Sequence, residues 1–186
     1  MQLKNKILFS ILIFLFCYAI FLFAWINVKS YYGYGLTQIG TYLSACTMGS
    51  SVKEIVVDKE NARITFIRSF YKGLDLADLV LDVKLSVSKY SFNVPLSLAL
   101  IAALFPLFHW KKRSLIEVIL ILLFIHLLYI YSFCCLQLYY AFLKAGIKVK
   151  STGSQLFWEF LWGFTDNMVI RFEPFLLTIY LWFKKV

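Results

Sequence analysis

Residues 7–26, ILFSILIFLFCYAIFLFAWI, form an apolar run without one charged side chain. About 20 such residues cross the hydrocarbon core of a bilayer as a helix, because a helix pairs its own backbone groups where no water can. Three later stretches approach that length: 94–110 (VPLSLALIAALFPLFHW), 115–136 (LIEVILILLFIHLLYIYSFCCL) and about 162–183. Only 16% of residues are charged and 61% are hydrophobic, whereas soluble domains carry about 25% charge. The sequence predicts a membrane protein, mainly α, with four transmembrane helices.

The first run exceeds the 7 to 15 residues or so of a signal-peptide core, and no small-x-small site follows it closely, so it reads as a retained anchor. Leu43-Ser44-Ala45-Cys46 resembles a lipoprotein cleavage box, but the polar stretch NVKSYYGYGLTQIGTY separates it from the apolar run that such a box must abut.

Orientation follows from Lys and Arg beside the spans, which stay preferentially cytoplasmic. Lys4 and Lys6, then Lys111, Lys112 and Arg113, then Lys184 and Lys185 fall on one side when both termini are cytoplasmic, although Lys144, Lys148 and Lys150 pull the other way. The chain then divides into a cytoplasmic tail and first span (1–26), an extracytoplasmic β-containing segment (27–93) and a three-span bundle with a cytoplasmic C-terminus (94–186). The expected location is the inner (cytoplasmic) membrane. The net charge of +9 is accounted for by topology and anionic lipid, and no nucleic-acid partner is implied. Trp25, Tyr31, Tyr32, Tyr139, Tyr140, Trp158 and Trp162 are expected to ring the outer interface, and Trp110, Tyr180 and Trp182 the inner one.

In the segment 27–93, Gly33, Gly35 and Gly40 loosen the first part and LTQIGTYLSACTM suits a short interfacial helix. KEIVVDKENARITFIRSF then carries two β-rich runs around a break at Lys59-Glu60-Asn61. In LVLDVKLSVSK, Leu81, Val83, Leu85 and Val87 alternate with polar residues. Together these predict a small antiparallel β module of about three strands with one apolar face. That face either packs on the short helix or, through an open edge, accepts another protein.

The polar residues inside the spans carry the functional signal, since an ionisable group in hydrocarbon costs about 3 kcal/mol or more unless paired or hydrated. At about 1.5 Å per residue, Glu173 counted from Lys184 lies roughly 16 Å deep and His126 counted from Arg113 roughly 20 Å, about the same level. Glu159, Asp166 and Glu173 recur every seven residues, a single stripe on an unbroken helix. Arg171 sits one turn from Asn167 on another face and cannot reach Glu173 within one helix, so its partners must be interhelical. Pro174 predicts a break at Glu173-Pro174. His126, Asp166, Asn167, Arg171 and Glu173 are thus the candidate intramembrane polar or partner-contact residues, with Gln137 or His126 as partners of the charged pair inside the bundle.

No metal spacing appears among Cys17, Cys46, Cys134 and Cys135, and no disulfide is required, although Cys46 is placed to meet Cys134 or Cys135. Phosphate-loop, HExxH, GxSxG and kinase motifs are absent. A Cys/His/Arg site built from Cys134 or Cys135, His126 and Arg171 fails on depth. No enzyme activity, cofactor or metal is expected.

The order of one span, a LVLDV strand, KYSFNVPLSLALIAALF and a LWGF…FEPFLLTIYLW ending resembles the exosortase H-associated membrane proteins of bacteria, which place a similar strand before a tyrosine-rich turn, a leucine-rich helix opening on proline, and a last span containing proline. The resemblance implies an inner-membrane accessory working beside a sorting transpeptidase for exported proteins, with the catalytic residues on that partner. The residues favour a non-catalytic accessory or assembly subunit touching the lipid bilayer and another integral membrane protein. The alternative is a small homo-oligomeric transport, channel or sensor protein in which His126, Arg171 and Glu173 line a polar cavity.

Overall fold

The computed structural model of the chain describes residues 3–58, 60–72, 75–108, 110–147 and 152–184. Lys59, Lys148, Lys150 and Lys185 lie outside the described residues, as do the side chains of Lys4, Lys6 and Lys112. In chain order the elements are α1 (Leu3–Met48), β1 (Ser51–Asp58), β2 (Asn61–Lys72), β3 (Asp75–Ser86), α2 (Val87–Ser91), α3 (Val94–Phe108), α4 (Lys112–Lys144), α5 (Thr152–Phe164), a π turn (Thr165–Val169) and α6 (Ile170–Phe183). The protein is mostly helical with a three-stranded antiparallel sheet. Three helical stretches, Ile7–Met48, Val87–Leu107 and Arg113–Lys144, are long and apolar enough to cross a membrane.

The expected loop and short second helix after residue 26 are replaced by a single helix of 46 residues. Gly33 and Gly40 are contact points in it, not hinges. A Cβ on Gly33 would stand 2.5 Å from Val87 Cγ1, and one on Gly40 would stand 2.7 Å from Ile130 Cγ2, so these glycines let α2 and α4 approach the α1 backbone. Thr41 donates to the Thr37 carbonyl at 2.7 Å and Ser44 to the Thr41 carbonyl at 2.9 Å, which satisfies hydroxyls inside the helix. The helix stops at Gly49, in left-handed conformation at φ +64°, with the Ser50 amide bonded back to the Ala45 carbonyl at 3.0 Å, a Schellman closure. Arg68 donates to the Met48 carbonyl at 2.9 Å and lies 4.3 Å above the Phe142 ring, tying sheet, α1 and α4 at one point.

The sheet order is β1-β2-β3. Asp58 pairs with Asn61 to close the first hairpin, Ile55 with Ile64, and Ile64 with Val83. Ala62, Ile64, Phe66, Val83 and Leu85 point to one side and are buried with Leu36 of α1 and Ile130, Leu138 and Phe142 of α4. The apolar face is therefore covered within the chain by long helices instead of a short one. The strand alternation ends at Ser86, because Val87 opens α2 while its amide bonds the Glu60 carbonyl at 2.8 Å.

A second core joins α3, α4 and α6 through Val94, Ile101, Val118, Leu122, Leu177 and Leu181. Among the rings expected at the interfaces, Trp110, Tyr139 and Trp158 are buried against the protein, and Trp162 stands edge-on to Tyr129 at 4.8 Å. Tyr31 does face outward, at 81% exposure. All four cysteines are free, Cys46 on the surface and Cys134 and Cys135 buried, so the Cys46 pairing is absent.

Candidate functional site

Pro174 sets the geometry of the last helix, though not by breaking it. It has no amide hydrogen to give the Ile170 carbonyl four residues earlier, yet α6 runs through it from Ile170 to Phe183. The expected break at Glu173-Pro174 is overturned because another helix supplies the donor: Asn93 Nδ2 bonds Ile170 O at 2.5 Å. Asn93 also holds the start of α3, its carbonyl accepting the Ser97 amide at 2.8 Å. The irregularity falls upstream, in the π turn at Thr165–Val169, where the Ile170 amide reaches the Thr165 carbonyl.

With the helix held there, Glu173 turns into the bundle and is fully buried, as is His126 of α4. His126 Nε2 lies 2.8 Å from Glu173 Oε2, and Ser97 of α3 donates to Glu173 Oε1 at 3.0 Å. His126 Nδ1 lies 2.5 Å from the hydroxyl of Tyr32 on α1. With the carboxylate ionised, the imidazole proton on Nε2 faces Glu173, and Nδ1 accepts from the tyrosine. The result is a string of four groups, Tyr32, His126, Glu173 and Ser97, drawn from α1, α4, α6 and α3. Tyr90 of α2 packs beside it, its ring 5.7 Å from His126. Tyr32, His126, Glu173 and Ser97 are each bonded within the string, which lowers the cost of burying such groups.

Asp166 takes a different partner, Lys89 of α2 at 3.0 Å, and that ammonium also lies 5.6 Å above the Trp162 ring. Glu159, the third member of the seven-residue stripe, accepts from Tyr140 of α4 at 2.5 Å and from Gln155 at 2.9 Å. Asn167 and Arg171 are exposed. The Asn167 amide folds back onto the Gly163 carbonyl at 3.0 Å, whereas the Arg171 guanidinium has no partner among the described residues. The five candidate residues are thus split: His126 and Glu173 meet, Asp166 is bonded to α2, and Asn167 and Arg171 face away. Gln137 is not among the groups bonded to Glu173 or Arg171.

Sequence reasoning missed Tyr32, Lys89, Asn93 and Ser97 as members. Asn93 and Ser97 were legible in part, since Asn93 immediately precedes α3 and Ser97 lies in its first turn, at the start of an apolar span. Tyr32 was expected only as one of the rings at the outer interface, and its polar surroundings suggested a loop, so nothing marked it as a partner of His126.

His126, Glu173 and Ser97 are buried and Tyr32 is half-buried. A groove of about 580 Å³ lies instead on the open face of the sheet beside Glu54, Asp58, Arg63 and Lys84. Among the described residues no three His, Cys, Asp or Glu side chains converge as a metal site. Compared with known proteins, the chain matches no family model, no curated protein and no solved structure.

Proposed function

We propose that the chain is a non-catalytic, multi-pass accessory subunit of the inner membrane that docks laterally onto another integral membrane protein through the outward face of α5 and α6. In this reading α6 and the π turn before it make a fourth span, both termini are cytoplasmic, and the sheet stands on the extracytoplasmic side. The string of Tyr32, His126, Glu173 and Ser97 locks the bundle, and the outward residues recruit the partner.

One observation carries the reading. Arg171 is exposed between Phe172, Phe175 and Met168, which are exposed too. Counted from Lys184 it lies about 20 Å up a helix of 1.5 Å rise, inside a hydrocarbon core about 30 Å thick. An unpaired guanidinium facing lipid there costs about 3 kcal/mol or more, and Glu173 does not relieve it, being fully buried on the bundle side while Arg171 is exposed. The resemblance to exosortase H-associated proteins points the same way. A cavity-lined transporter draws less support, since His126 and Glu173 are sealed and Arg171 is directed elsewhere.

The test is purification in native membrane discs. The wild-type chain is expected in fixed ratio with one other integral membrane protein, and Arg171→Leu is expected to lose it while keeping its own unfolding midpoint. A wild-type chain that is always alone refutes docking. Cys46, free and exposed, is expected to label from outside intact cells; protection from an impermeant reagent refutes the orientation.

A further inference from the structure

The outward face of the last helical stretch is a continuous seam. Phe160 and Phe164 of α5 and Phe175 and Ile179 of α6 are exposed along it, with Asn167 of the π turn and Arg171 exposed between them, and the four-residue steps from Arg171 to Phe175 to Ile179 keep those three on one side of α6. The seam offers five guanidinium donors and, from Asn167, the amide hydrogen not given to Gly163 and a side-chain carbonyl acceptor. What binds there must bring an anion.

This chain has none to lend to a second copy. Of its 10 acidic residues, four lie in the helices: Glu117, Glu159, Asp166 and Glu173. Glu117 is bonded to Tyr180, Arg113 and Lys184, Glu159 to Tyr140 and Gln155, Asp166 to Lys89, and Glu173 to His126 and Ser97. The other six, Glu54, Asp58, Glu60, Asp75, Asp78 and Asp82, all belong to the sheet and its hairpins. A two-fold contact through the seam also sets the same patch against itself, which brings two guanidiniums together in a medium where like charges repel strongly. A lipid phosphate is disfavoured by depth, because Arg171 lies about 10 Å short of the far boundary of a 30 Å core.

We propose, resting on the lateral-docking reading, that Arg171 receives an aspartate or glutamate carried within a transmembrane helix of a different protein. A carboxylate matches the planar fork of the guanidinium with two parallel bonds, and Phe164 and Phe175 on either side exclude lipid and water from the pair.

The test places p-benzoylphenylalanine at Phe175 in the full chain and irradiates intact membranes. The expected product is a cross-link to a different polypeptide, on a helix bearing Asp or Glu within one turn of the attachment point. Arg171→Glu is expected to lower its yield by about tenfold or more, and replacing that acid by Arg in the partner is expected to restore it. Unfolding midpoints of the variants are expected to match the parent, since Arg171 makes no contact that holds the fold. A cross-link to a second copy, or to a helix with no acid, overturns the carboxylate while leaving lateral docking standing. A cross-link to phospholipid alone overturns both.

Discussion

Replacing Glu173 by Leu removes the acceptor for two donors in a fully buried site. His126 Nε2 loses its partner at 2.8 Å and Ser97 Oγ loses one at 3.0 Å, with both neighbours almost completely buried. Removing one member of a buried pair costs about 3–5 kcal/mol in water-soluble cores. Single polar contacts between membrane helices are worth nearer 1 kcal/mol, because the unfolded chain finds other partners in the bilayer. Two orphaned groups and one lost pair therefore give an expected loss of about 2–4 kcal/mol for Glu173→Leu. Glu173→Gln keeps the shape, accepts from Ser97 and donates to an imidazole whose proton has moved to Nδ1, and is expected to cost under about 1 kcal/mol. His126→Leu combined with Glu173→Leu removes both partners, so its cost is expected to fall below the sum of the singles by about 2 kcal/mol. Steric trapping or detergent-titrated unfolding in micelles reads these differences directly. If Glu173→Leu unfolds within about 0.5 kcal/mol of the parent, a margin typical of surface changes, the string does not lock the bundle.

The donor lent to Pro174 gives a second cycle: Asn93→Ala is expected to cost about 1–2 kcal/mol, and much less once Pro174→Ala restores an amide for Ile170 O, both measured by the same unfolding titration. If Asn93→Ala costs the same in both backgrounds, the coupling is absent. Gly40→Ala drives a methyl to 2.7 Å from Ile130 Cγ2 and is expected to lose about 1–3 kcal/mol, whereas Gly35→Ala, which meets nothing within 4 Å, is expected to gain up to about 1 kcal/mol of helix propensity; equal effects at the two sites refute the contact reading. Glu60 accepts from Lys29 at 2.7 Å, and that hydrogen bond with the ammonium's charge holds its carboxyl below the usual range. A carboxylate depressed by folding stabilises above its unfolded value and loses that contribution as pH falls through the folded one. Hydrogen exchange at the β1–β2 turn is therefore expected to speed up below the ordinary carboxylate range in the parent, and to show no such step in Glu60→Gln.

Much of the architecture was written locally. The apolar runs opening at Ile7, Val94 and Leu115 are helices, and the alternation at Leu81, Val83 and Leu85 is a strand paired as an antiparallel neighbour of β2. The depth count that levelled His126 with Glu173 is matched by their contact at 2.8 Å. The failures share one cause, namely distant residues supplying what the local sequence lacks. Gly33 and Gly40 look like breakers until Val87 and Ile130 arrive against them, and Pro174 looks like a break until Asn93 replaces its missing donor. Nor does spacing say which of Arg171 and Glu173 turns inward; the two lie on different sides of one helix, and the π turn at Thr165–Val169 sets the phase.

The unbroken α1 has a mechanical consequence. At about 1.5 Å per residue its 46 residues make a rod of roughly 70 Å, over twice the thickness of the hydrocarbon it enters. Its second half is clamped to β1 and β2, so whatever leans the first half carries the sheet with it. A tilt of 10°, well inside the ordinary range for helices answering a change in bilayer thickness, sweeps the far tip through about 12 Å. Any lean of the first half is thereby passed on to the strands, with no break in the helix along the way to absorb it.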